Sequence, residues 1–373
     1  MDELQLTIYS VAIPFLLSVV LGWLFIPRVL ILSHRKQLYD MPDQRKMHHT
    51  PVPRLGGITF LPILLIVVCM SLGVWVMMRM PYNSETLDDL FTRFILLFVG
   101  MMVLFLVGVV DDLIGVSYKA KFLTQIISAV LFPLSGLWIH DLSGLFWVNE
   151  IPTWLGILLT IFVVVYVTNA INLIDGVDGL AAGICFVSLL TLGLAAMVKG
   201  QHLFMLITFG MLGILLPFWY FNVFGHVEKE KKIFMGDTGS LTLGYLVSFL
   251  LIYMASGAGI TFPREMLIIG LSTMFLPMFD IVRVVIVRVR NHCNPFLPDK
   301  NHIHHKLLRT GISSRCVMTV LVFVSLLLVL ATMMGVFYHL GTTFVFLIDV
   351  LLWLVFDSTV NYYIRKNHRK RYE

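Results

Sequence analysis

The sequence predicts an all-α polytopic membrane protein, one transmembrane domain over residues 1–373 with about eleven spanning helices, and three observations carry that prediction. Of the residues, 58% are hydrophobic and only 13% charged, with a mean hydropathy of +0.89, so there are too few polar groups to cover a surface in water. Apolar runs of the roughly 20 residues needed to cross hydrocarbon recur along the whole chain. Lysines and arginines gather in alternate breaks between those runs.

The runs fall at roughly 7–30, 55–78, 93–110, 122–139, 152–171, 179–198, 203–222, 239–257, 265–287, 316–338 and 342–363. The first has no basic leader and no small-residue cleavage site after it, and reads as a retained span. With the amino terminus outside, loops 31–54, 111–121, 223–238 and 288–315 and the tail 364–373 face the cytoplasm with nearly all the cations. Only Arg79, Arg93, Lys199 and Arg264 fall on the other side. The net charge of +5 follows from this asymmetry and from attraction to anionic lipid heads, so a nucleic-acid partner is not expected. Cys69, Cys185, Cys293 and Cys316 have neither metal-site nor disulfide spacing.

Ionisable groups near membrane depth cost about 2.5–3.5 kcal/mol each, so the polar clusters in the breaks call for an explanation. The first runs from Tyr39 and Asp40 through Arg45, Lys46, His48 and His49 to Pro51-Val52-Pro53-Arg54-Leu55-Gly56-Gly57. Cations ahead of a helix start suit an anion, although charge anchoring and helix packing explain the same residues. The second is the pair Asp111-Asp112, followed by Lys119 and Lys121. Adjacent carboxylates repel, so a metal, a cation or a shared proton should accompany them unless the loop is simply solvated.

The third cluster sets Asn169, Asn172, Asp175 and Asp178 three residues apart, with Gly176 and Gly179 as potential helix breaks. Such oxygen ligands suit Mg²⁺, which favours carboxylates together with water and substrate phosphates. The fourth is Met235-Gly236-Asp237-Thr238-Gly239-Ser240, in which Asp237 is both a helix-capping and a ligand candidate. The fifth, Asn301-His302-Ile303-His304-His305-Lys306 with Arg309, lacks a zinc-type spacing. It suits contacts to a diphosphate or to sugar hydroxyls.

Taken together the clusters resemble the polyprenyl-phosphate N-acetylhexosamine-1-phosphate transferase superfamily, of glycosyltransferase family 4 type. The likeness runs from Tyr39 to Arg309 in matching order, and Asn172–Gly179 with Met235–Ser240 is its most specific part. His302-Ile303-His304-His305 followed by Arg309, together with Pro51–Gly57, is similar to the N-acetylglucosamine-1-phosphate branch rather than the muramoyl-pentapeptide branch.

The resemblance implies that undecaprenyl phosphate attacks UDP-N-acetylglucosamine, releasing UMP and starting a lipid-linked cell-envelope glycan of O-antigen, common-antigen or teichoic-acid type. It implies Mg²⁺, with Mn²⁺ as a substitute, held by Asp237 with Asn172 and Asp175, while Asp111 or Asp112 deprotonates or orients the lipid phosphate. A covalent aspartyl phosphate at Asp111 is the other route. Lys46, Arg54, Lys119, Lys121 and Arg309 would hold phosphates, and His302, His304 and His305 the sugar or diphosphate. Asp40, Asn169 and Asp178 would complete the site. A bacterial inner membrane, a cytoplasmic active site and a homodimer through lipid-facing helices also follow from the resemblance. One departure stands out: many relatives carry a third aspartate where this chain has Gly115. A different UDP-sugar, the muramoyl-pentapeptide reaction, or a lipid-linked sugar transporter using Asp280, Arg283, Asp349 and Asp357 are the competing readings.

Overall fold

The computed structural model describes residues 3–40, 52–78, 87–256, 265–294 and 301–369. Its helices are α1 (Glu3–Arg35), α2 (Phe60–Met77), α3 (Leu87–Ile114), α4 (Tyr118–Leu134), α5 (Thr153–Ile174), α6 (Leu180–Val198), α7 (His202–Val223), α8 (Gly236–Ser256), α9 (Met266–Arg290), α10 (Ile303–Arg309), α11 (Ser314–Phe337) and α12 (Thr342–Arg369). Ten of them are long and apolar enough to cross a membrane.

The expected eleventh span, at 122–139, is where the structure departs. Ser117 caps α4 early, its Oγ accepting from Ala120 N at 3.4 Å, so the helix begins at Tyr118 and carries Lys121 in its first turn. It stops at Leu134 because Gly136 takes a left-handed φ of +76°, a conformation that ends helices. At 17 residues α4 is about 25 Å long, at the lower limit of a membrane span.

The chain is also not wholly helical. The strands β1 (Tyr39–Asp40) and β2 (Val52–Pro53) pair antiparallel, with Tyr39 opposite Pro53. A second antiparallel hairpin, β3 (Asp141–Leu145) with β4 (Val148–Glu150), follows α4. Its first strand is tied to the start of α12, where the hydroxyls of Thr342 and Thr343 donate to the carbonyls of Ser143 and Gly144 at 2.6 and 2.8 Å.

Helix α8 is the axis of the bundle, packed against α3, α5, α6 and α9, and nearly every residue from Thr238 to Tyr253 is buried. Small residues allow this in a medium that gives apolar side chains no drive to associate. Outer helices instead present large apolar residues outward, such as Val20, Phe323 and Leu351.

Helices alternate in direction, so the carboxyl ends of α3, α5 and α9 meet the amino ends of α4 and α8 at one end of the bundle. Contacts that fix this end include Lys121 with Asp237, Lys232 with Asp178, and Asn367 Nδ2 donating to the Thr310 carbonyl at 2.8 Å. The hairpin lies at the opposite end with Arg93, whose guanidinium sits 5.9 Å from the Tyr253 ring centre.

Candidate active site

The site is assembled around the start of α8. Residues 53–57 run alongside residues 234–235, with Phe234 N donating to the Pro53 carbonyl at 2.8 Å and Gly56 and Gly57 donating to the carbonyls of Phe234 and Met235 at 2.9 and 2.8 Å. Gly236 then turns the chain with φ +72°, and a Cβ there would lie 2.2 Å from the Arg54 carbonyl oxygen. Gly57 meets Gly239 so closely that a Cβ on Gly57 would lie 2.1 Å from the Gly239 backbone. The two glycine-bearing motifs are thus one packed unit.

Asp111 and Asp112 sit on the last turn of α3 and have unlike partners. Asp112 turns both oxygens to the first turn of α8: Oδ1 accepts from Asp237 N at 2.8 Å, and Oδ2 from Thr238 N at 3.0 Å and Thr238 Oγ1 at 2.6 Å. A residue of another helix therefore caps α8, and the carboxylate opposes the positive end of its dipole. Capping was one of two expectations for Asp237; with that task taken by Asp112, the Asp237 side chain faces into the site.

Asp237 accepts from Lys121 Nζ through Oδ2 and from Asn172 Nδ2, at 3.2 Å, through Oδ1. Asn172 also donates to Ser240 Oγ at 2.8 Å. Lys121 bridges to Asp111 Oδ2 at 2.8 Å, while Asp111 Oδ1 accepts from Val116 N at 2.6 Å. Burial alone would depress Lys121, but Asp237 and Asp111 hold it above its ordinary pKa, so it remains a cation.

One oxygen each from Asp111, Asp112 and Asp237 lies within 4.8 Å of the others. This donor set fits a hard divalent cation. The sequence expectation set Asp111 and Asp112 apart from Asp237 as a lipid-phosphate side; the fold instead gathers all three. Gly115, where a third acid was expected, is the stop of α3, with φ +76° and its N–H donating to the Asp111 carbonyl at 2.9 Å.

Helix α5 ends at Ile174, so only Asn169 and Asn172 of the third cluster are helical. Asn169 pairs its amide with that of Gln125 on α4 and donates to the Val165 carbonyl at 2.8 Å, which makes it a helix-to-helix tie. Asp178 forms an ion pair with Lys232. Asp175 sits between these features; burial, then the charges of Asp237 and Asp178, push its pKa well above the carboxylate range despite the opposing Arg54 charge.

The fifth cluster folds onto the third. Gly176 approaches His304 so closely that a Cβ would lie 2.4 Å from its Nε2. Burial, with His305 beside it, pushes His304 down to about 3, so its ring is neutral at pH 7. The rings of His302 and His304 stack with centres 5.8 Å apart, and His305 lies 4.2 Å from His304. Among the described residues the carboxylate triad is the one group of metal-ligand type, and the histidines form none.

Lys306 is buried and bound to Asp357, and Arg309 is exposed with Nη2 3.5 Å from Asn301 Oδ1. Lys119 is exposed beside the site. Lys46 lies outside the described residues; Asp40 is described only as part of β1. The acids that kept a transport path open have local partners: Asp280 and Asp357 pair with Arg283, and Asp349 accepts from Thr332 Oγ1 at 2.7 Å. Gln125 and Lys232 stand out in no sequence motif, because their roles arise from contacts between distant segments.

The profile described as Glycosyl transferase family 4 matches residues 94–255, which includes the triad, Lys121 and the asparagine–aspartate cluster. A probable undecaprenyl-phosphate N-acetylglucosaminyl 1-phosphate transferase of Bacillus subtilis (strain 168) is 31% identical over 313 residues, 84% of this chain and 80% of that protein. The chain belongs to glycosyl transferase family 4. The chain is also similar to an undecaprenyl-phosphate alpha-N-acetylglucosaminyl 1-phosphate transferase of Escherichia coli (strain K12), 29% identical over 84% of this chain and 81% of its own length. One of Salmonella typhi is 30% identical over 74% of this chain and 71% of its own. In this family member the carboxylate triad, the bridging lysine and the histidine helix lie at one end of the bundle, where soluble and lipid substrates can meet.

Proposed function

We propose that this chain transfers N-acetylglucosamine 1-phosphate from UDP-N-acetylglucosamine to undecaprenyl phosphate and releases UMP. The observation that carries the reading is the half-buried triad of Asp111, Asp112 and Asp237, with Lys121 bridging Asp111 and Asp237, in a chain whose family relatives bear that activity in their names. An oxygen of the lipid phosphate attacks the sugar-bearing phosphorus, a new P–O bond forms, and the bond from that phosphorus to the UMP oxygen breaks. The proton balance is light, because a phosphate monoester near pH 7 is already mostly ionised.

Catalysis of this kind is largely positioning and charge neutralisation. Asp237 and Asp111 are the residues that would hold Mg²⁺ or Mn²⁺, with Asp112 fixing the Asp237 backbone behind them. A cation so bound would neutralise diphosphate oxygens in a site of low effective dielectric. Lys121 and Arg54 supply positive charge for phosphate groups, and Asp175, whose ionised form burial disfavours, is suited to carry a proton beside them. His302 and His305 are the contacts offered to the sugar nucleotide, and grooves between outer helices suit the prenyl chain. The cation-rich end of the bundle faces the cytoplasm of a bacterial inner membrane, by the positive-inside rule.

The test uses purified protein, undecaprenyl phosphate, Mg²⁺ and radiolabelled UDP-N-acetylglucosamine. UMP release and label in the lipid phase, both dependent on the lipid phosphate, are the expected result. No UMP above a no-lipid control would overturn the reading. A panel of UDP-sugars in the same assay fixes the sugar.

A further inference from the structure

Asp280 lies on α9, apart from the carboxylate triad, and is 1% exposed. A buried carboxylate persists only when its oxygens are paired, and both are. Oδ1 accepts from Arg283 Nη2 at 2.7 Å and from the Ile303 backbone N–H at 2.9 Å; Oδ2 meets His302 Nδ1 at 2.8 Å. Because Ile303 opens α10, Asp280 caps that helix from a distance of 23 residues in sequence.

Acceptance from a guanidinium and a backbone N–H is the pattern of an ionised carboxylate, which makes His302 Nδ1 the donor. The ring is then fixed in orientation and tautomer, leaving Nε2 as the atom that can meet a ligand. From His302 the stack continues to His304, and His304 packs on Gly176, the residue after Asp175. Arg283 also donates to the Asn301 carbonyl and lies 3.6 Å from Asp357 on α12, so the support for α10 comes from two long helices.

We infer that Asp280 is a positioning residue for the sugar-nucleotide half of the transfer, presenting the His302 Nε2 lone pair to a hydroxyl or amide N–H of the bound UDP-sugar. The inference rests on the transferase reading. Asp280 itself touches no substrate.

The experiment is kinetic. Asp280→Asn keeps the side-chain shape and one acceptor for Ile303 N–H, but sets an amide N–H against His302 Nδ1 and so imposes the other tautomer. The expected result is a roughly 10- to 100-fold fall in kcat/KM for UDP-N-acetylglucosamine with the KM for undecaprenyl phosphate unchanged, in a protein that still folds but whose thermal midpoint in detergent is lowered by loss of the pair with Arg283. Asp280→Glu, which restores a carboxylate, recovers part of the loss. In a His302→Gln background Asp280→Asn adds less than about 2-fold, since its effect runs through a ring no longer present. Additive losses in the double variant, an equal rise in the lipid-phosphate KM, or unchanged kinetics in a folded Asp280→Asn protein would each overturn the inference. Should Asp280→Asn not fold, the folded Asp280→Glu protein decides: a loss of kcat/KM that vanishes in the His302→Gln background supports the inference, whereas a loss that adds in that background, or wild-type kcat/KM in His302→Gln itself, overturns it. If wild-type protein releases no UMP, the transferase reading fails by itself, and calorimetric binding of UDP-N-acetylglucosamine replaces the assay. Weaker binding to Asp280→Asn than to wild type then supports the positioning role; equal binding, or no binding to the wild-type protein, rejects it.

Discussion

Adjacent residues on a helix point about 100° apart, which is why Asp111 and Asp112, inseparable in sequence, reach different partners. Asp112 uses both oxygens to cap α8, and Asp111 shares Lys121 with Asp237. Their substitutions should therefore separate stability from chemistry. Asp112→Ala removes a cap that is worth about 0.5–2 kcal/mol, so its thermal midpoint falls and activity falls with it. Asp237→Asn preserves shape and the contact with Asn172 and loses only the charge paired with Lys121, so its thermal midpoint falls less than that of Asp112→Ala while transfer drops by at least about 100-fold. Thermal unfolding and UMP release on the two proteins check the pair. Equal midpoints, or an active Asp237→Asn protein, would contradict this division of labour. The sequence displayed all these carboxylates and the need for a cation beside them. It did not display which acid caps and which faces the site, because that depends on how α3 is rotated against α8.

At the scale of elements, most helices were legible from hydropathy alone, as the medium selects uniformly apolar runs. Helix α4 was not: its amino-terminal turn is polar, with Lys119 and Lys121, and its end is set by Ser135 and Gly136 rather than by loss of hydrophobicity. The shift toward the amino terminus brings Lys121 onto the helix and within reach of Asp111 and Asp237. The glycine motifs were legible as special but not as partners. Gly57 and Gly239, far apart in sequence, touch backbone to backbone, and backbone cannot move aside as a flexible side chain can. Gly57→Ala should cost about 1–3 kcal/mol of stability or more and impair transfer, since it pries the start of α8 from residues 53–57. Gly73→Ala on α2 meets nothing within 4 Å and should shift stability by at most about 1 kcal/mol. Thermal midpoints of the two variants in one detergent make the comparison. A Gly57→Ala protein as stable as the Gly73→Ala one would refute the close contact.

For the whole molecule, the alternation of helices puts the triad, the asparagine loop and the histidine helix at one end, and the β3–β4 hairpin at the other. Charge follows the same division. Lys121, Lys232, Arg283 and Arg309 belong to the site end, whereas Arg93 and Lys199 belong to the hairpin end. That distribution predicts the orientation in the membrane. That orientation would also meet a chemical need, since a charged nucleotide sugar would then reach the triad without passing through hydrocarbon. Cys293 is exposed just beyond α9 at the site end, and Trp147 is 75% exposed in the hairpin turn. A chain with Cys69, Cys185 and Cys316 replaced by serine then reports the site end through Cys293. Adding Cys293→Ser and Trp147→Cys reports the other end. In intact cells, with the outer envelope made permeable to small reagents, a membrane-impermeant maleimide should label Trp147→Cys and spare Cys293. Lysis should make Cys293 reactive. Labelling of Cys293 before lysis, with Trp147→Cys protected, would put the carboxylate triad outside and separate it from the nucleotide sugar.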